Sequence, residues 1–180
     1  HKQVFGRSLA SHIKTDKRVQ DTQLIFFDYE TIVETDELSM MKPYSCAYWK
    51  AGIDDLGKID KCEKSKTDIT DLIKENSDCF IGWDCSKRFV DYLMQLPTTH
   101  KYILVGFNNS NFDNLLLADY LYRTQNTTDN DWGYRIDRPF YNGTSLMNFY
   151  INNTISTWDL AKHITGTSLK NCCKNFNVKS

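Results

Sequence analysis

Three acidic residues stand where strands predicted from apolar runs come to an end. Asp28 and Glu30 follow the run 24–27, and Asp113 follows a second run, 102–107, at the start of a helix-like segment. Residues two apart on a strand share one face, so Asp28 and Glu30 point the same way. Carboxylates that converge from separate elements are the oxygen ligands that hard divalent cations such as Mg²⁺ prefer. The spacing therefore predicts a site for two divalent cations, which leave coordination positions for phosphate and water.

The chain is long enough for one domain with its own apolar core, at 180 residues. Its net charge of −1 provides no overall basic field that would recruit nucleic acid. The six cysteines form no Cys-x-x-Cys pair, so reduced thiols and an intracellular location are expected, without a choice between nucleus, cytoplasm and organelle. No segment is as long as a membrane span and no signal peptide is visible, which predicts no membrane partner.

The predicted elements place the acids at strand ends. Strands are expected at 23–30, 39–50, 58–64 and 102–107, and a hairpin or meander at 134–159. Helices are expected at 68–75, 86–96, about 111–123 and 168–176, the last with a Ser cap. We expect the four tryptophans in the core. Strands that come first and then alternate with helices predict an α/β mixed sheet with helices on its faces, whose ligand site lies at the carboxyl ends of the strands.

Two motifs resemble those of the exonuclease domain of family B DNA polymerases. The segment 27–31, Phe-Asp-Tyr-Glu-Thr, is similar to the first exonuclease motif, and the segment 109–113, Asn-Ser-Asn-Phe-Asp, to the second. The segments 89–93, 103–109, 158–160 and 168–176 are similar to the subgroup that starts replication from a protein primer, found in viruses, linear plasmids and self-replicating transposons. The resemblance covers roughly residues 23 to 180.

The resemblance implies a ribonuclease-H-like fold that removes misincorporated nucleotides from the 3′ end of single-stranded DNA. By position, Asp28, Glu30 and Asp113 would be the catalytic residues and would hold two Mg²⁺ or Mn²⁺ ions. The nucleotides at the 3′ end would be bound by Thr31, Asn108, Asn109 and Phe112. The implied partners are the primer 3′ end, a polymerase domain downstream in the same chain and a terminal priming protein.

The sequence departs from the family at the fourth acid. The family completes its site with a Tyr-x-x-x-Asp motif beyond the segment that 168–176 resembles, and none follows there. Asp137 and Asp159 precede that segment, so neither takes the role by position. We expect a basic arm at 1–22 and an exonuclease domain at 23–180 that is cut before this motif, with weak or no activity by itself.

Two other interpretations remain open at this stage. Asn109 and Asp113 could be a helix N-cap and a first-turn acid, which require only helix physics. The chain could also be a catalytically inactive nucleic-acid-binding or structural module derived from the same fold, and the missing fourth acid favours this.

Overall fold

A computed structural model describes residues 22–33, 41–65, 68, 70–128, 130–164 and 168–171. Its helices are α1 (Ile53–Ser65), α2 (Thr70–Glu75), α3 (Cys85–Gln95) and α4 (Asp113–Thr124). Its strands are β1 (Thr22–Val33), β2 (Met41–Ala51), β3 (Ser77–Ile81), β4 (Lys101–Gly106), β5 (Ile136–Asn142), β6 (Ser145–Ile151) and β7 (Ile155–Asp159). Short 3-10 turns follow β4 at Asn109–Asn111 and β7 at Leu160–Lys162.

The described strands form one mixed sheet in the order β3-β2-β1-β4-β7-β6-β5. The central strands β1, β4 and β7 are parallel, while β2, β3, β5 and β6 join through antiparallel pairs. Because parallel strands all end at one edge, the residues that follow β1, β4 and β7 are brought together there. The predicted mixed sheet with helices packed on it is confirmed.

The core lies between the central sheet and the helices α3 and α4. Alternate residues of β1, Ile25, Phe27 and Tyr29, are buried, and the ring of Phe27 stacks on that of Phe89 in α3 at 5.6 Å. Helix α4 buries Leu117 among the same cluster of apolar side chains. The period of two in β1 therefore turns every second side chain inward and leaves Asp28 and Glu30 on the other face.

One predicted strand is wrong. Residues 58–64 belong to helix α1, and the third strand of the sheet is Ser77–Ile81, which the sequence did not indicate. Asp54 and Asp55 stand in the first turn of α1, and the Asp55 carboxylate accepts the N–H of Gly52 at 3.0 Å. Such acids stabilise a helix N-terminus, and this start signal outweighs the short strand-like pattern that follows.

Most other predicted elements are confirmed, with boundaries that differ by no more than three residues. The expected helix at 168–176 is described only over 168–171, where residues 169–171 are helical and the N–H of Asn171 reaches Ser168 Oγ at 3.3 Å. The predicted arm at 1–22 lies outside the described residues except for Thr22. The expectation that all tryptophans are core residues is wrong, because Trp83, Trp132 and Trp158 are exposed.

No helix among the described residues is long and apolar enough to cross a membrane. The four cysteines within the described ranges, Cys46, Cys62, Cys79 and Cys85, are free thiols.

Candidate active site

The carboxyl end of β1 projects beyond its neighbour β4. Pairing between the two strands stops at Phe26 and Val105, whereas β1 continues to Val33. Asp28 and Glu30 are exposed on this projecting part, and Tyr29 between them is buried. The two acids therefore stand at an edge of the sheet where β4 no longer covers the β1 backbone.

Asp113 occupies the space that β4 leaves free. It is the first residue of α4 and only 4% exposed, and its Oδ1 atom accepts the backbone N–H of Tyr29 at 2.9 Å. This hydrogen bond joins residues 84 positions apart and places Asp113 against the stretch of β1 that carries Asp28 and Glu30. The two sequence motifs thus meet through a hydrogen bond from a backbone N–H of the first to a side-chain carboxylate of the second.

Burial and neighbouring negative charge raise the pKa of two of these acids, Asp113 and Asp28. Burial is the main cause that raises the pKa of Asp113 to about 6, and the charges of Asp28 and Asp159 add to it against the Tyr29 hydrogen bond. The pKa of Asp28 is also raised, mainly by partial desolvation and secondly by the charge of Glu30. This holds even though much of the Asp28 residue is accessible to solvent. Concentrated negative charge of this kind is relieved by a bound cation.

The carboxylates of the candidate site are suitable ligands for divalent cations, but too few of them lie close together. Carboxylate oxygens suit Mg²⁺ and Mn²⁺. Within the described ranges, however, no three or more His, Cys, Asp or Glu side chains lie close enough together to hold a metal ion. Asp28, Glu30 and Asp113 are thus neighbours that interact electrostatically without forming a closed cage.

The predicted nucleotide-binding residues differ in their accessibility. Asn108 is exposed and adopts a left-handed conformation with φ 63°, which asparagine tolerates better than most residues. Thr31 and Phe112 are half-buried. Phe112 is neither among the buried side chains of the main apolar cluster of the described residues nor among those packed against it.

Asn109 lies inside the protein, with 0% exposure. Its Nδ2 atom donates to Oδ1 of Asn114 at 3.2 Å and to the carbonyl of Trp158 at 3.2 Å. Asn114 in turn donates to the carbonyl of Leu146 at 3.0 Å. In this arrangement the Asn109 side chain ties the loop after β4 to α4 and β7, and it does not face solvent.

Asp159 is a residue of this region that position in the sequence did not indicate. It ends β7, is 2% exposed and accepts backbone N–H groups from the loop after β4. Its partner across the parallel pair is Gly106, the last residue of β4. The one signal in the sequence was its position at the end of an apolar strand segment, which Asp28 shares.

A shallow apolar depression borders Asp28 on the sheet. It has a volume of about 570 Å³ and is lined by Asp28, Phe26, Trp49 and Ile73 among others. The rings of Phe26 and Trp49, both in its lining, stack with their centroids 5.2 Å apart. A flat group beside Asp28 could therefore lie against an aromatic surface.

The sequence matches no protein-family model, and no curated protein matches it. Among solved structures, the chain is similar to phi29 DNA polymerase complexed with primer-template DNA and incoming nucleotides, with a TM-score of 0.50 and 10% identity over 88% of this chain and 24% of that chain. Exonuclease I also matches, with a TM-score of 0.49 and 14% identity over 88% of this chain and 36% of that one. The zinc-bound complex of E. coli exonuclease I with single-stranded DNA has a TM-score of 0.43 and 14% identity over 86% and 30% of the two chains.

The likeness to phi29 DNA polymerase concerns the fold. Together with the strand order it confirms the predicted class, an α/β ribonuclease-H-like mixed sheet flanked by helices. The chain spans about a quarter of the length of that polymerase, so its similarity is to one part of a larger enzyme.

Proposed function

We propose that this chain is a 3′–5′ exonuclease domain that hydrolyses single-stranded DNA from its 3′ end. The observation that carries the proposal is the hydrogen bond from Tyr29 N–H to Asp113 at 2.9 Å, which unites the two acidic motifs. The fold in which it occurs is shared with phi29 DNA polymerase.

In this proposal, Asp28, Glu30 and Asp113 are the catalytic carboxylates and would hold Mg²⁺ or Mn²⁺. Bound divalent ions would supply charge stabilisation for displacement at the scissile phosphate. The protein holds Asp113 in place through the Tyr29 N–H, so its carboxylate does not have to be ordered when the substrate arrives. The exposed positions of Asp28 and Glu30 leave them open to a phosphate group from solvent.

The substrate contacts follow from what is accessible beside the acids. Asn108 and Phe112 are near Asp113 in sequence and have exposed or half-exposed side chains. Phe112 would stack on the terminal base, a contact that accepts any base and so suits removal of mismatched ends. Thr31 would contact the terminal nucleotides from the end of β1. We assign Asn109 a supporting role in this set, because its side chain is enclosed by Asn114 and the Trp158 carbonyl.

The finer assignment places the domain in a protein-primed DNA polymerase, with a polymerase domain downstream and a terminal priming protein as partner. Its support is the order of the motifs in the sequence.

The alternative is an inactive nucleic-acid-binding or structural module of the same fold. The lack of a three-carboxylate metal cluster in the described part of the chain favours it. The two functions differ in one measurable property, cleavage of DNA that depends on Asp28.

The test is a nuclease assay on single-stranded DNA that carries a label at the 5′ end, with Mn²⁺ or Mg²⁺. The 180-residue chain and a longer protein extended at its carboxyl end are compared. We expect shortening from the 3′ end by the longer protein, weak or no cleavage by the shorter one, and loss of cleavage in Asp28→Ala. Asp119→Asn is the control, because Asp119 is an exposed acid of α4 that forms an ion pair with Arg123. Cleavage that survives Asp28→Ala, or a longer protein that is inert, would rule out the proposed site.

A further inference from the structure

Asp159 is a buried carboxylate to which the proposed site assigns no role. It terminates β7 opposite Gly106 of β4 and is 2% exposed. A carboxylate is rarely buried unless hydrogen bonds or a counter-charge compensate for lost solvation. The partners of Asp159 therefore indicate what it does.

All three described partners of the carboxylate are backbone N–H groups. Asp159 Oδ1 accepts from Asn108 at 2.8 Å and from Ala161 at 2.9 Å, and Oδ2 accepts from Ser110 at 3.1 Å. Both oxygens are thus occupied by the protein itself. Hydrogen bonds to an ionised acceptor are stronger than neutral ones, so this carboxylate fixes the segment 108–110 tightly.

The segment 108–110 lies between β4 and α4 and includes the start of the 3-10 turn. Its conformation depends on the hydrogen bonds to Asp159. Asn108 adopts a left-handed conformation, φ 63° and ψ 21°, which costs energy and persists only where the surrounding structure enforces it. A second tie runs from Asn109 Nδ2 to the carbonyl of Trp158. Gly106 makes room for the loop, because a Cβ atom there would stand 2.8 Å from Asn109 Cβ.

We propose that Asp159 is a positioning residue, which holds the loop 108–110 so that Asn108 and Phe112 are presented to the 3′-terminal nucleotides of a single strand. This inference rests on the proposed function and adds a determinant of substrate affinity to it. Asp159 contacts no substrate itself and acts through the loop, so its loss should weaken binding of the strand.

Two variants perturb the loop in different ways. In Asp159→Asn, the amide oxygen can still accept two N–H groups, but the amide nitrogen is a donor and cannot accept the N–H of Ser110. In Gly106→Ala, every carboxylate stays in place and the new methyl group displaces Asn109. If Asp159→Asn does not fold, Gly106→Ala decides the question.

Two control variants separate positioning from charge and from stability. Asp119→Asn removes one negative charge from an exposed residue of α4. Leu93→Ala truncates a buried side chain of α3 and destabilises the domain without altering the loop after β4.

Binding is measured by fluorescence anisotropy with 5′-fluorescein oligothymidylate in EDTA, which prevents hydrolysis. Hydrogen exchange of the Ser110 amide reports the loop, and thermal melting reports stability. We expect Asp159→Asn and Gly106→Ala to weaken binding by about tenfold or more, with faster exchange at Ser110. Asp119→Asn and Leu93→Ala should bind as the wild type does at temperatures where each is folded.

Equal affinity of wild type and Asp159→Asn, despite faster exchange at Ser110, would overturn the positioning role and leave the proposed function intact. An equal loss of affinity in Leu93→Ala would overturn it as well, because general destabilisation would then suffice. A wild-type protein that, even in its longer form, neither binds oligothymidylate nor shortens single-stranded DNA with Mn²⁺ would refute the proposed function together with this inference.

Discussion

Replacement of Asp113 by asparagine should make the domain more stable at neutral pH. The variant retains an Oδ1 atom to accept the Tyr29 N–H but has no charge to desolvate. The pKa of Asp113 rises from its ordinary 3.8 to about 6, mainly through burial. A shift of one pKa unit corresponds to about 1.4 kcal/mol, so ionised Asp113 costs the folded state on the order of 3 kcal/mol above pH 6. Asp113→Asn should recover much of that free energy of unfolding.

The pH dependence of the free energy of unfolding provides a second test of whether ionised Asp113 destabilises the folded protein. Asp113 binds its proton more tightly in the folded than in the unfolded protein, so between its ordinary pKa of 3.8 and about 6 the folded state holds more protons. Stability of the wild type should therefore fall as pH rises through this window, relative to the variant. Below pH 4 both proteins carry a neutral group at this position, and the difference should vanish.

Urea unfolding of the wild type and Asp113→Asn across pH 3.5 to 8 measures the difference directly. Asp119→Asn is the matched control, since it removes a charge from the same helix at an exposed position. Its free energy of unfolding should differ little from that of the wild type. The reasoning is refuted if Asp113→Asn is less stable than the wild type at pH 7.5, or if the difference does not change between pH 4 and 6.

Two further substitutions test the surroundings of the acids. Phe112→Ala should weaken binding of single-stranded oligothymidylate by about 1 to 3 kcal/mol, the usual contribution of a base-aromatic stack, and a large loss of stability with unchanged binding would make Phe112 a packing residue instead. Asn114→Ala should lower the free energy of unfolding by about 1 to 3 kcal/mol, because the Leu146 carbonyl and the Asn109 amide lose their buried partner. Chemical denaturation detects this loss, and an unchanged midpoint would show that water replaces the amide.

The sequence predicted the parts of the fold whose burial pattern is regular. The strand β1 was recognisable because Ile25, Phe27 and Tyr29 alternate with outward residues, and helix α3 because its buried residues recur on one stripe. The strand β3 was missed since only Phe80 of its five residues is buried, which leaves no period to detect. Its place in the sheet depends on pairing with β2, a tertiary contact that local pattern does not encode.

The acidic residues of the candidate site could be selected from the sequence, but the hydrogen bonds of Asp159 and Asn109 that hold the neighbouring loop could not. Asp28 and Glu30 lie in a short motif within β1, and Asp113 lies in a second short motif at the start of α4, so local sequence was enough to select them as candidates. The support by Asp159 depends on β7 lying parallel to β4, which brings Asp159 to an amide 51 positions away. The burial of Asn109 has the same origin, since its partners include the Trp158 carbonyl of β7.

The unequal lengths of β1 and β4 have a consequence for how such a site could arise or be lost. The pairing between β1 and β4 ends at Phe26 and Val105. The backbone N–H of Tyr29 therefore has no β4 partner and donates to the Asp113 carboxylate. An insertion that lengthened β4 by a few residues could complete the ladder and displace the carboxylate without altering a single acidic residue. A change in the length of β4 could thus create or abolish the candidate site while Asp28, Glu30 and Asp113 stay the same.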